Sequence, residues 1–372
     1  MYISQRGPRF GRLAVAAALV VAMGAIGVAA ADNAPPQRNL FEQPALQSNL
    51  AGRSLMLSVT QAGERLVAVG ERGFILISED HGNSWQQVES PVSVTLTRVR
   101  FVSPADGWAV GHAGVVLHSS DGGRTWKRQL DGVVAAQLAL AAAQAETGED
   151  AEDQLAEAQR LVDDGPDKPF LNLHFFDAQR GLVVGAYGLA FATDDGGKSW
   201  KSISARLDNP SALHLYDVLE LESALFICGE QGLMLRSTDG GASFQALEIP
   251  ASGTLFGMVA AGSNGLIAFG LRGKAYRTED LGATWRPLPS HQSATLTAGT
   301  RLSSGELILA DETGSLQLSR DDGRSFQVLP IPESGFLSGI SELPDGQLAV
   351  SSTHGVIRIA NQDLNRSTGR EQ

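Results

Sequence analysis

Outside its first 31 residues the chain keeps three tyrosines, Tyr187, Tyr216 and Tyr276, and Tyr216 is followed directly by Asp217. A tyrosine activated by a carboxylate is one chemistry for attacking a sugar carbon. Neighbouring residues of a strand point to opposite faces, however, so this pair cannot act as one unit. A second route is a pair of carboxylates across a cleft. With 41 acidic residues in the chain, no spacing singles out such a pair. A serine nucleophile has no G-x-S-x-G turn to present it. The single cysteine, Cys228 in "LFICGEQG", has no partner thiol and no Cys/His cluster around it. It reads as a small buried hydrophobe, with no disulfide and no structural zinc. His112 and His354 could share a metal only if their turns converged. No catalytic residue, metal or cofactor is assigned.

The elements that would position these groups are set by a repeat. The octapeptide "SSDGGRTW" (119–126) recurs as "SEDHGNSW", "TDDGGKSW", "STDGGASF", "TEDLGATW" and "SRDDGRSF", all fitting [ST]-x-D-x-G-x-[ST]-[WF]. The aspartates are Asp80, Asp121, Asp195, Asp239, Asp280 and Asp321, spaced by 41, 74, 44, 41 and 41 residues. The closing aromatics are Trp85, Trp126, Trp200, Phe244, Trp285 and Phe326. Each position has a structural task. The aspartate accepts N–H bonds of its own turn, the glycine takes a positive φ, and the ring packs between sheets. Six equivalent copies around a ring cannot meet at one active site, so the box reads as architecture.

A G-x-x-G turn precedes each box, and an apolar strand precedes that turn. Four short strands in about 40 residues is the period of a propeller blade. A seventh unit, "SSTHGVIRIA", lacks the box. The expectation is an all-β, seven-bladed propeller within residues 32–361, followed by a tail, 362–372. The seventh unit stops after its third strand, and "RNLFEQPAL" (38–46) is the expected segment to complete it. One stretch breaks the period, residues 132–169, rich in Ala, Leu, Gln and Glu on both sides of "TGED". It reads as two helices with a short turn, inserted between blades 2 and 3. Its span from Glu146 to Asp167 holds nine acids and one arginine. A solvated hairpin and a docking lid both fit.

The box and the phrase "DGWAVGHAGVVLHSSDGGRTW" together resemble the aspartate-box (BNR) propellers, and most of all the photosystem II assembly and stability factor family. The resemblance covers nearly the whole chain after residue 31, apart from the insertion. It implies a non-catalytic chaperone or scaffold for a membrane complex, with a protein partner and a monomeric state. The alternative it leaves is a glycan-binding or sialidase-like propeller. The Arg-Ile-Pro signature of sialidases is absent from the N-terminal region.

Arg6, Arg9 and Arg12 followed by "LAVAAALVVAMGAIGVAAA" read as a signal peptide, cleaved after Ala31 and before Asp32, which sends the product to the periplasm. Cleavage removes three arginines and no acid, moving the net charge from −12 to −15. Such a product repels phosphate backbones and excludes nucleic acid as a partner.

Strand order places the boxes on one face of the ring and the G-x-x-G turns, with the blade-to-blade loops, on the other. That second face varies from blade to blade, and specific recognition is expected there. The candidate binding residues are Arg72, Arg98, His112, Asn172, Tyr187, Tyr216, Glu230, Arg272 and His354. Arg72, Arg98 and Arg272 are read as one basic patch toward acidic groups.

Overall fold

A computed structural model describes residues 40–148, 150–289, 293–329, 331 and 335–360. The expected signal peptide, residues 1–31, and the expected tail, 362–372, lie outside the described residues. Among the described residues seven antiparallel sheets follow one another along the chain, six of four strands and the last of three, each in simple meander order. They are blade 1 (56–88), blade 2 (96–130), blade 3 (170–202), blade 4 (215–246), blade 5 (255–287), blade 6 (296–329) and blade 7 (337–359).

The second strand of every blade is a mostly apolar run buried throughout, for example "ALFICG" and "LIAFG", with polar ends at Arg65, Asp311 and Ser351–Ser352. Such a run needs cover on both faces, and neighbouring blades supply it. Among the described residues the core divides into seven clusters, each lying between one pair of adjacent blades. Fourth strands such as Gln245–Ala246 and Arg286–Pro287 are short and exposed at the rim, and offer little edge for unwanted pairing.

The ring closes without the expected N-terminal strand. Blade 7 joins blade 1 through side chains, with Leu343, Ala349 and Val356 packed against Met56, Val59 and Leu66. The Ser338 hydroxyl adds a 2.7 Å bond to the Met56 carbonyl. Residues 41–50 run instead along the outside of blades 1 and 2. Ala45 N donates to Ser90 O (3.1 Å), and the Arg128 guanidinium reaches the Phe41 carbonyl (2.9 Å) and lies over its ring. A 3-10 turn at Leu40–Glu42 and Pro44, which lacks an N–H, keep this stretch from pairing as a strand.

The insertion forms α1 (Gly132–Ala145) and α2 (Ala151–Asp164). Asp131 caps α1 by accepting N–H bonds from Val133 and Val134, both 3.1 Å. Ala135, Ala136, Ala143 and Ala158 are buried, and their small side chains allow close helix contact. Leu138, Ala139 and Leu161 pack on the core between blades 2 and 3. The hairpin is therefore seated on the ring, and its acids Glu152, Asp153, Glu157, Asp163 and Asp164 are exposed.

Candidate functional site

The two faces differ in what their polar groups have left to offer. In all six boxes the aspartate accepts from the Ser/Thr hydroxyl two residues before it and from the N–H and hydroxyl four residues after it, at 2.6–3.0 Å. The first hydroxyl in turn accepts the glycine N–H, as in Gly123 N to Ser119 Oγ at 2.9 Å. The glycine itself has positive φ, 85° at Gly123. Donation from the Ser84, Ser199 and Thr284 hydroxyls is the leading cause that holds Asp80, Asp195 and Asp280 at a pKa of about 2. At Asp321 partial burial opposes the bonds from Ser325, which prevail and give about 2. At Asp121 burial likewise opposes the bonds from Thr125, and the carboxyl still ends low. Asp239 is pulled lowest, chiefly by the Ser243 hydroxyl. Trp126, Trp200 and Phe244 are buried and Trp85, Trp285 and Phe326 half-buried, all as packing anchors. Every box aspartate is committed to its own turn.

On the opposite face, each G-x-x-G turn begins with a strand glycine. A Cβ on Gly270 would lie 2.1 Å from the Thr254 carbonyl oxygen, so this close approach excludes any side chain. Two residues later the chain takes positive φ at Arg72 (54°), Ala113 (57°), Tyr187 (56°), Gln231 (55°) and Arg272 (58°). Non-glycine residues rarely adopt this conformation. On blades 1, 3, 4 and 5 the tight turn therefore holds one side chain out from the end of the blade, whereas Ala113 on blade 2 is buried.

Among the candidates, Tyr187, Tyr216 and Glu230 are brought together across blades 3 and 4. Tyr187 is 56% exposed, with the Lys168 ammonium 5.1 Å from its ring centre and the His214 ring at 4.8 Å. His214 Nδ1 accepts the Tyr187 N–H at 3.0 Å, and the Glu230 carboxylate lies 3.7 Å from the same nitrogen. Tyr216 continues the line, edge-on to Phe256 at 5.0 Å. Lys168, Tyr187, His214, Tyr216 and Phe256 thus form one aromatic and cationic strip beside the hairpin, with Glu230 along it.

Arg98 and Asn172 lie deeper, at the mouth of the central channel. The Asn172 amide donates to Asp217 Oδ1 at 2.6 Å, and Met258 N donates to Asp217 Oδ2 at 2.8 Å. Arg98 and Arg100 both stand 3.9 Å from Asp217 Oδ1, and His174 meets Glu220 at 3.1 Å. Arg72, His112, Arg272 and His354 are not gathered. Arg72 and Arg272 sit on blades 1 and 5, and Arg98 faces the channel, so the three arginines form no single patch. His112 and His354 are on blades 2 and 7 with blade 1 between them. No cluster of three metal-ligating side chains occurs among the described residues.

Sequence reasoning passed over Arg100, His174, His214, Glu220 and Lys168. Arg98 and Arg100 in "LTRVRF", like Asn172 and His174 in "FLNLHF", stand two residues apart on an innermost strand. Period-2 alternation puts each pair on one face, and that signal was available.

The model of the family described as "Photosynthesis system II assembly factor YCF48" matches residues 77–149 and 153–367. The chain belongs to this YCF48 family. A curated relative, the photosystem II assembly lipoprotein Ycf48 of Synechococcus sp. (strain CC9902), is 32% identical over 77 residues, which is 21% of this chain and 23% of that protein. Two solved YCF48 structures share the fold. One, described as YCF48 bound to D1 peptide, has a TM-score of 0.61 at 18% identity, covering 85% of this chain and 98% of that one. The other, from Cyanidioschyzon merolae, has a TM-score of 0.62 at 16% identity, covering 86% and 99%. A GH74 xyloglucanase from Xanthomonas campestris is nearly as similar in shape, with a TM-score of 0.59 at 12% identity over 85% of this chain and 53% of that one. Shape alone therefore does not separate scaffold from hydrolase, whereas the family match does favour the assembly factors. Between residues 77 and 367 of this YCF48-family chain the match breaks only at residues 150–152, where α2 begins.

Proposed function

We propose that this YCF48-family propeller is a non-catalytic, periplasmic scaffold that holds a segment of a membrane-associated protein on its loop face while a complex is assembled. The observation that carries the reading is the strip Lys168–Tyr187–His214–Tyr216–Phe256 with Glu230 along it. Exposed aromatics with polar tips are the side chains that anchor protein partners, because they bury area with little loss of freedom. A solved relative described as bound to D1 peptide supports a polypeptide as the ligand class. The basic, apolar and small-residue order of residues 1–31 supports export.

The hydrolase alternative is weakened at Tyr216. Burial pushes its phenol pKa up and the Glu230 carboxylate pushes it further, the opposite of what a phenolate nucleophile needs. The box carboxylates are bound within their own turns and leave no pair to work on a substrate.

The test is cross-linked capture from membranes. Wild-type protein is expected to retain a partner whose cross-links map to Tyr187, His214 and Phe256, and Tyr216→Ala is expected to reduce capture at least tenfold. Tyr187→Gly is the more telling variant. Glycine accepts φ 56° without strain, so stability should hold or rise by about 1 kcal/mol, while capture falls with the loss of the ring. Deleting residues 137–163 is a poor substitute, since Leu138, Ala139 and Leu161 belong to a blade interface. Undiminished capture by both variants refutes the scaffold reading. Cleavage of a glycoside panel that disappears in Glu230→Gln establishes the alternative.

A further inference from the structure

The innermost strands enclose a cavity of about 390 Å³ along the ring axis. Its wall carries Arg98 and Arg100 from blade 2, hydroxyls of Ser58 and Thr60 from blade 1, and those of Thr300 and Ser341 from blades 6 and 7. The two guanidiniums are poorly matched by the protein. Their shared counter-ion is Asp217, 3.9 Å from each. Both Asp217 oxygens are already engaged, by Asn172 Nδ2, Val218 N and Met258 N at 2.6–2.9 Å. The acid lining the cavity, Glu342, is held by the N–H and hydroxyl of Ser303 at 2.6 and 2.7 Å. Among the described residues neither arginine donates a hydrogen bond to a protein group within 3.5 Å, although each guanidinium has five N–H donors.

The side chains are 25% and 35% exposed, and that exposure is to the channel. Enclosure within the ring, followed by the like charge of Arg98, pulls the Arg100 pKa down to about 10. Guanidiniums enclosed in this way are costly unless an anion meets them. Their planar fork fits carboxylate or phosphate oxygens two at a time.

We propose that the central channel is a binding site for a small oxyanion, a carboxylate or phosphate, gripped by Arg98 and Arg100 and flanked by the channel hydroxyls. It is separate from the loop-face strip, so this site and partner capture can fail independently.

The test is isothermal titration of the full-length protein with citrate and with inorganic phosphate at constant ionic strength, the two arms separating carboxylate from phosphate selectivity. One of them is expected to bind saturably at one site per chain. Arg98→Gln and Arg100→Gln are each expected to weaken it at least tenfold, and Arg72→Gln on the blade 1 turn is expected to leave it unchanged. The same anion should raise the wild-type melting temperature with concentration, a readout that needs no variant to fold. Absence of saturable binding by both anions, or wild-type affinity in Arg98→Gln, overturns the proposal.

Discussion

Trp108→Ala is expected to destabilise the protein by about 3–5 kcal/mol, the cost of emptying a large buried aromatic site. Trp108 is fully buried in the second strand of blade 2. Its indole stacks on Phe175 of blade 3 with centroids 3.7 Å apart and planes 11° from parallel. Its Nε1 donates to Gln129 Oε1 at 3.0 Å, and Gln129 Nε2 donates onward to Gly196 O in the box of blade 3, at 2.7 Å. Alanine would remove the stack, leave a void between two sheets and orphan the Gln129 oxygen. Trp108→Phe keeps a ring against Phe175 but loses the hydrogen bond, worth about 1 kcal/mol, and some volume, so it should fall between the two. Urea unfolding monitored by fluorescence and by circular dichroism checks the order. A loss below about 1 kcal/mol for the alanine variant would mean that this seam does not hold the ring.

Acid should loosen the ring between about pH 4 and pH 2 through the boxes. Each box carboxyl has a folded pKa below its unfolded one, with Asp80, Asp195, Asp280 and Asp321 at about 2. A group depressed on folding binds its proton more readily in the unfolded chain. Its stabilisation is therefore complete above the unfolded value near 4 and is lost as pH falls through the folded value. Asp195→Asn isolates one share of this effect. The variant should be less stable than wild type at pH 7, and most of the difference should be gone by pH 2, where about half of the wild-type carboxyl is protonated in the folded state. Unfolding at pH 7, 4 and 2 measures this. A difference that stays constant down to pH 2 would assign the role of Asp195 to shape, with no contribution from its charge.

Much of the ring was legible because its signals are local. In "SSDGGRTW" the Ser119, Asp121 and Thr125 side chains bond within the octapeptide, so the type and spacing of Ser119, Asp121, Gly123 and Thr125 are enough to specify the turn. Repetition of that turn, with the boxless seventh unit "SSTHGVIRIA", gave the number of blades and the direction of each face. The strands were legible for the same reason, as apolar runs between turn glycines. Ring closure was less so. "RNLFEQPAL" has the apolar content of a strand, and its position beside Ser90, Gln87 and Arg128 depends on partners more than 40 residues away.

The sequence by itself determined the blade repeat and the phase of the two faces, since each rests on contacts within one turn or one strand, and the break in the repeat period located the hairpin. Which of the varied loop-face residues stand together was decided only by the tertiary structure. Tyr187, His214 and Phe256 belong to three successive blades, and Arg98 and Asp217 lie 119 positions apart in the chain, yet the curvature of the ring makes them neighbours. The same curvature keeps Arg72 away from Arg272, though both occupy the same position of the same turn. Local hydrogen bonding writes a propeller into its sequence; the juxtaposition of side chains across blades depends on how seven sheets pack around an axis.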